Sequence, residues 1–525
     1  MNPAAVPPDP GFTAISDLIR NHAERHPTQP ALVEGSTQLD YSTLDALMDR
    51  VAASLQRDGI RPREVIALCA ATSPLHAAVF LGALRAGVAV APLAPGGTPA
   101  SFASMLNDAQ PRALFVDAVA TNLLAPNDAL RCISLDGVAP GVQFDDWLMP
   151  GGTRPQPVAV RPDWPFNIIY SSGTTGTPKG IVQSHGMRWS HVVRGGQYGY
   201  GRDTVTLLAT PLYSNTTLVV FFPTLAYGGS VVLMPKFDAA GYLWLAKAHR
   251  VTHTMLVPVQ YQRIMAEADF HRHDMGSFRF KFCTSAPFAA TLKADVLQRW
   301  PGGLVEFYGM TEGGGTCILE AHANPTKLHT VGRPAPGHDL RLIDDDGHEL
   351  PPGATGEVVG RSAGMMTGYH RQPEKTREAE WFDAQGQRFI RSGDIGRFDA
   401  DGFLTLLDRK KDMLISGGFN LYPSDLEAVL RGHAAVSDVA VVGVPSQRWG
   451  ETPVAFVVRR TDDTTTADEL LQWMNQRVGK TQRLADLQFV AELPRSAIGK
   501  VLKRELRDRV VARVEAGSLR STEIE

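Results

Sequence analysis

The chain has 525 residues, of which 43% are hydrophobic and 20% charged, with a formal net charge of −3. That length calls for more than one core, roughly two to four folding units. The near-neutral charge excludes a dedicated nucleic-acid binder, and the apolar share excludes a disordered chain.

Residues 1–11 have no basic start and no apolar run, so no secretory signal is expected. Residues 40–57 (DYSTLDALMDRVAASLQR) place Leu44, Leu47, Met48, Val51 and Leu55 on one stripe, which predicts an amphipathic helix capped by Ser42 or Thr43. Residues 65–69 (VIALC) read as a buried strand, 75–84 as a helix and 88–92 as a further strand. The apolar stretch 75–95 contains Arg85. Stretch 217–235 is broken by Pro223 and Gly228–Gly229, so neither supplies the ~20 uninterrupted apolar residues of a membrane span. Strand signals recur at 231–234, 254–257 and 304–308, and turn-bounded strands at 353–360 and 402–407. This alternation predicts an α/β protein: a large N-terminal region, 1–408, of α/β subdomains with mainly parallel sheets plus a β-rich part. The charged run 408–412 (DRKKD) reads as an exposed linker. Beyond it, helices at 424–431 and 467–477 and strands at 438–444 and 453–458 predict a small α+β domain, 409–525. The four cysteines (Cys69, Cys132, Cys283, Cys317) lack CxxC spacing and are expected as reduced, packed thiols of a cytoplasmic protein.

The most informative segment is 170–180, YSSGTTGTPKG, which follows a strand-like run at 166–170. Gly173, Gly176 and Gly180 let a backbone approach an anion and present its N–H groups. Ser171, Ser172, Thr174 and Thr175 add hydroxyl donors, and Lys179 adds a cation. The glycine spacing and the residue after Lys179 do not fit a Walker A loop. Composition alone leaves a phosphate-binding loop and a surface turn both open.

The full wording of this segment resembles the signature loop of the acyl-adenylate-forming superfamily, the AMP-dependent synthetases and ligases. The later motifs of that family follow in order: YGMTE at 308–312, RSGDIG at 391–396, DGFLTLLDRKKDMLISGG at 401–418 and PRSAIGKVLKREL at 494–506. The resemblance covers most of the chain and is weaker over the first 160 residues or so. It implies the acyl- or aryl-CoA ligase branch. There a small-molecule carboxylic acid and ATP give acyl-AMP and pyrophosphate, and coenzyme A then displaces AMP, with Mg²⁺ required.

The resemblance also assigns residues. Glu312 matches the magnesium-associated carboxylate and Thr311 its neighbour at the α-phosphate, a pairing that suits a hard, oxygen-seeking ion. Tyr308 and the Ser285–Ala286–Pro287 turn resemble the walls of an adenine slot, though Tyr308 also reads as ordinary core. Asp394 matches the residue that accepts the ribose hydroxyls. Arg409 resembles a second nucleotide contact, with a solvated linker arginine as its plainer reading. Lys500 matches the lysine that completes adenylation, and Lys411 the hinge residue about which the small domain turns between the two half-reactions. Gly417 and Gly418 match the passage for the thiol, and Trp449 a residue stacked on the CoA nucleotide or simply a structural tryptophan. The acyl pocket falls on Tyr213, Ser214, Gly309 and Gly313. Ser214 departs from the family, which often carries histidine there, so a histidine gate is not expected.

His271 and His273 have no third ligand at regular spacing and are expected as exposed side chains. His185 and the basic stretch 500–513 are expected as packing and as a solvated helix. Two other readings stay open: a standalone ligase that loads a carrier-protein pantetheine, and a nucleotide-binding regulator without turnover. The acid and the oligomeric state lie beyond what spacing reveals.

Overall fold

The structure is a computed structural model that describes residues 11–124, 130–171, 179–416, 419–446, 449–461, 463–496 and 499–515. Contacts divide the chain into two compact units, residues 1–340 with 360–390, and residues 341–359 with 391–525.

The elements of the first unit follow from local chemistry. The Tyr41–Arg57 helix buries Leu44, Met48, Val51 and Leu55. Its cap is Asp40, whose carboxylate accepts from the Thr43 N–H at 2.7 Å, and not Ser42 or Thr43. The Pro74–Arg85 helix starts with Ser73 as cap and proline in its first turn. Pro223 does not break the chain as its type predicts, because it lies inside the Asn215–Ala226 helix. That helix is buried over most of its length, so packing outweighs the one backbone donor that proline removes.

Among the described residues the first unit holds a nine-stranded and an eight-stranded sheet. The nine-stranded sheet has a parallel centre of Ser230–Leu233, Val205–Leu208, His253–Leu256, Phe280–Cys283 and Gly303–Gly309. Thr316–Glu320 then adds on antiparallel, with Gly309 opposite Thr316. In the eight-stranded sheet, Val65–Cys69 runs parallel to Ala89–Pro92 and Leu114–Val116. Pro165–Ser171 pairs antiparallel with Lys179–Ser184, Ser171 lying opposite Lys179. The predicted parallel α/β class is therefore the observed one.

Buried cations brace this unit. The Lys281 ammonium donates to the carbonyls of Trp300, Pro301 and Gly302 at 3.1, 2.7 and 2.7 Å, just beyond the Ala290–Arg299 helix. Burial pulls its pKa down to about 7. Lys293 forms an almost fully buried ion pair with Glu306. Cys69, Cys283 and Cys317 are buried thiols and Cys132 is half-buried, its Sγ–H donating to the Leu130 carbonyl at 3.5 Å, as expected of packed thiols.

In the second unit, Val436–Ser446 and Gly450–Arg459 form a long antiparallel pair, and Asp486–Phe489 joins in parallel. The Pro423–Arg431 and Ala467–Asn475 helices pack against it around Leu426, Leu430, Leu470 and Met474. The charged run 408–412 is less exposed than predicted. Asp408 and Arg409 finish the Leu404–Arg409 strand, and Asp408 accepts from the Ser424 N–H at 2.9 Å. The basic tail is not simply solvated either. The Lys503–Glu515 helix buries Leu506 and Val510, and Lys503 pairs with Glu427 at 2.9 Å. No helix among the described residues is long and apolar enough to cross a membrane.

Gly332 has φ +92°, and a Cβ there would sit 1.9 Å from the Ile318 carbonyl oxygen. Gly332→Ala is expected to destabilise the first unit by at least about 1 kcal/mol from the left-handed backbone alone, with the clash added to that. Chemical denaturation reads this as a lower midpoint. An unchanged midpoint would mean that the turn before Arg333 rearranges freely.

Candidate active site

Ser171 and Lys179 stand at the mouths of two paired strands. The residues between them, including Ser172, Gly173, Thr174, Thr175 and Gly176, lie outside the described residues. Lys179 itself is placed: its ammonium stands 5.0 Å above the ring of Tyr369. The Tyr369 hydroxyl donates to Glu312 Oε1 at 2.9 Å, and the Met366 N–H donates to the Glu312 carbonyl at 2.7 Å. Cation, phenol and carboxylate thus form a chain beside the glycine-rich segment. Burial and the adjacent Glu312 charge both raise the Tyr369 phenol, which keeps it a donor. Gly313 follows at φ +72°, where a Cβ would lie 1.9 Å from the Gly364 carbonyl oxygen. Glycine is therefore required for the chain to double back at the carboxylate.

The carbonyl of Thr311 accepts from Gln183 Nε2 at 2.7 Å, and the same amide reaches Asn215 Oδ1 at 3.3 Å. Gln183 Oε1 accepts from Asn167 Nδ2 at 3.0 Å and from the Arg188 guanidinium. Asn167, Gln183 and Arg188 are each fully buried. Burial lowers the Arg188 pKa to about 9, which still leaves it charged near neutrality. Among the predicted site residues, none had pointed to Asn167, Gln183, Arg188 or Tyr369. Glutamine and arginine inside an apolar strand and helix were the available signal, and only the fold shows them converging.

Ser285 is a non-glycine residue at φ +82°. Its hydroxyl bonds the Thr216 hydroxyl at 2.6 Å, and the preceding Thr284 hydroxyl donates to the Phe307 carbonyl at 2.7 Å. Ala286 is half-buried and Pro287 exposed, while Tyr308 is half-buried near the end of its strand. Ser214 caps the Asn215–Ala226 helix by accepting from the Thr216 N–H at 3.3 Å. Serine at this place thus has a structural task that histidine performs poorly. Tyr213, half-buried, precedes it, and Gly309 is exposed at the strand end.

The second unit carries the rest. Asp394 and Arg409 are register partners joined by an ion pair at 2.8 Å, with the carboxylate the more buried member. Lys411 is exposed in a turn closed by the Asp412 and Met413 N–H groups on the Arg409 carbonyl. Lys500 is exposed after Gly499, and the Ser496 N–H donates to the Lys500 carbonyl at 2.8 Å. Arg495 braces this turn through the Gly499 carbonyl at 2.6 Å and Asp438 at 2.5 Å. Gly417 and Gly418 lie outside the described residues. Ser416 beside them pairs with Gly450, next to Trp449, whose N–H donates to Ser446 Oγ at 3.3 Å. His271 is exposed as expected. His273 is not, being half-buried with its Nε2 3.5 Å from Asp269. His185 is buried, and burial lowers its pKa to about 4.

The fold and the chain from Lys179 through Tyr369 to Glu312 suit a nucleotide-dependent enzyme. Residues 19–370 match the AMP-binding enzyme family, and residues 425–500 match the AMP-binding enzyme C-terminal domain. Indoleacetate–CoA ligase of Aromatoleum aromaticum is 33% identical over 520 residues, covering 94% of this chain and 98% of that protein. The fatty acid–[acyl-carrier-protein] ligase ScoC of Streptomyces coeruleorubidus is 31% identical over 506 residues, 93% of this chain and 95% of that protein. ATP-bound MatB of Rhodopseudomonas palustris superposes with a TM-score of 0.84 at 28% identity, covering 94% and 98% of the two chains. The chain belongs to the AMP-binding enzyme family. Within it, it falls in the acyl- and aryl-CoA ligase branch of AMP-forming acid–thiol ligases, enzymes that use ATP and CoA.

Gln183→Leu keeps the volume but removes both acceptor and donor. It is expected to lower stability by at least about 2 kcal/mol, because the buried Arg188 and Asn167 lose a partner. Urea unfolding monitored by tryptophan fluorescence measures it. A midpoint equal to that of the parent protein would show the cluster to be energetically idle.

Proposed function

We propose that the protein activates an aromatic or fatty carboxylic acid as its acyl-adenylate and transfers the acyl group to coenzyme A. The observation that carries this reading is the chain from Lys179 through Tyr369 to Glu312, set beside the glycine-rich segment and Thr311. An oxygen of the acid attacks the α-phosphorus of ATP, and the bond to pyrophosphate breaks. No general base is required, because a carboxylic acid is already ionised near neutrality. Glu312, a partly buried carboxylate with Tyr369 holding only one of its oxygens, suits a hard cation, and Mg²⁺ held there with the nucleotide phosphates would neutralise their charge.

The remaining assignments concern this chain's own groups. Lys179 and the hydroxyls of Ser171, Ser172, Thr174 and Thr175 are assigned to the phosphates. Tyr308 and the turn at Ser285 are assigned to the adenine, a flat ring that an aromatic face suits. Asp394 accepts from the ribose hydroxyls, and Arg409 holds Asp394 in place through their ion pair. Lys500 is assigned to the charge that builds on the leaving pyrophosphate. An ammonium at about 4 Å contributes about 4 kcal/mol at an effective dielectric near 20. Lys411 is assigned as the pivot between half-reactions. Gly417, Gly418 and Trp449 are assigned to the pantetheine and nucleotide of CoA, a reading supported by the pairing of Ser416 with Gly450.

A carrier-protein thiol is the second reading, favoured by the likeness to ScoC, which is named as an acyl-carrier-protein ligase. The deciding experiment measures AMP release from ATP and Mg²⁺ with aromatic and fatty acids, given CoA, a pantetheine-bearing carrier, or neither. CoA-dependent release is expected. Release that needs the carrier and ignores CoA assigns the acceptor to the carrier instead.

Lys500→Ala is expected to slow adenylation by ~100-fold, since even ~3 kcal/mol felt only in the transition state amounts to about two decades. Thioester formation from supplied acyl-AMP is expected to stay within a few-fold of the parent rate. Equal losses in pyrophosphate exchange and in thioesterification would exclude Lys500 as the group that stabilises the leaving pyrophosphate.

A further inference from the structure

Arg194 lies in the last turn of the His185–Gly195 helix, and adenylation as derived from Glu312, Lys179 and Lys500 leaves it no task. Its guanidinium stands 5.3 Å from the centre of the Phe307 ring. Phe307 and Gly309 are two residues apart on one strand and so share a face of the sheet. Arg194 therefore sits over the same face as Gly309, about one residue pair or ~7 Å further from the Thr311–Glu312 loop. Gly309 is one of the residues that the family resemblance assigns to the acyl pocket, and the inference rests on that assignment and on the adenylation proposed above.

The surroundings of Arg194 supply no counter-ion. Among the described residues its guanidinium has no hydrogen bond and no ion pair, and no carboxylate lies near enough to act on it. Its one ionisable neighbour of opposite sign is the Tyr198 phenol, which burial holds in the neutral form. His191, one turn earlier, is held neutral by burial, and its Nδ1 is buried without a partner. His338 is also held neutral, mainly by burial. Its Nδ1 accepts from the Thr316 N–H at 3.0 Å, directly opposite Gly309 in the sheet. A half-buried cation among neutral polar groups gains from an anion that reaches it. Stacking on Phe307 offsets part of the cost of its burial and also holds the guanidinium plane fixed.

We infer that the preferred acid is a flat or elongated dicarboxylate whose far carboxylate is held by Arg194. One carboxylate reacts at the α-phosphorus while the other is gripped by the planar donor fork, the geometry at which arginine excels. Phe307 flanks the bridging carbons, so an aromatic or extended aliphatic spacer fits better than a branched one. In this way the pocket selects for length and charge together.

The test compares matched acids: 3-(4-carboxyphenyl)propionate against 3-(4-methylphenyl)propionate, and linear dicarboxylates of four to eight carbons against monocarboxylates of equal length. AMP release is followed with the full chain, ATP, Mg²⁺ and CoA, and pyrophosphate exchange with CoA left out. The diacid of each productive length is expected to have kcat/KM at least ~30-fold above its neutral-ended partner, the scale of a charge-assisted hydrogen-bonded pair. Arg194→Met is expected to abolish that ratio while leaving the monoacid rate within about twofold, and Arg194→Lys to restore part of it. Thermal melting checks that both variants fold. If Arg194→Met does not, the ratio in the parent protein decides. A parent enzyme that prefers neutral-ended or hydroxylated acids overturns the inference and leaves adenylation standing, as does a preference that survives Arg194→Met. A panel in which no acid releases AMP removes the adenylation reading itself, and this inference with it.

Discussion

Gln183 has one acceptor end and one donor end, and the fold uses both. Its carbonyl oxygen accepts from Asn167 on the neighbouring strand and from Arg188 on the following helix. Its amide donates to the Thr311 carbonyl and to Asn215 at the start of the next buried helix. Side chains and backbone from both sheets of the first unit are thereby tied at one point deep in the interior. In a medium of low effective dielectric such bonds are strong when complete and costly when broken. The position of Thr311, and hence of Glu312 beside it, is fixed by that cost as much as by strand pairing.

Arg188 supplies the charge in this cluster. It lies 5.8 and 5.9 Å from the rings of Phe166 and Phe222, so aromatic faces offset some of its lost hydration. The result is a rigid floor beneath the Thr311–Glu312 turn. The same logic governs Ser285, whose left-handed backbone is tolerated because its hydroxyl is bonded to Thr216. Strain and buried polarity occur together where nucleotide and acid are expected to meet, and catalytic groups need to be held to a fraction of an ångström there.

Much of this was legible in the sequence, and the reason is periodicity. Residues 65–69 and 40–57 carry patterns of strand and helix that leave little choice, and both appear almost as read. Cap chemistry was misread by a few positions, because Ser42, Thr43 and Asp40 all suit a cap and only the backbone geometry selects Asp40. Pro223 was misread because a residue's type speaks for local cost, whereas the Asn215–Ala226 helix is held by packing on most sides. Glu312, Lys179 and Asp394 were singled out because they sit in ordered motifs. Tyr369 and Gln183 were not, since each acts through a partner more than fifty residues away. His273 was read as exposed because nothing local reports that its side chain folds against Asp269.

Under the proposed function the cations of this protein divide by the kind of charge they meet. Lys179 and Lys500 end flexible stems, and an ammonium is a point charge that can follow an anion as it moves from ground state to leaving group. A rigid donor would bind one of those states well and the other poorly, which gains nothing for the rate. Arg194 is the opposite case: it stands over Phe307 with no anionic partner among the described residues, and its planar donors suit an anion that stays where it is. The far end of an acid does not change charge or position during adenylation, so a fixed guanidinium there contributes binding and selectivity without opposing the chemistry. Lysine where charge moves and arginine where it rests is the division that the proposed two-step acyl transfer favours.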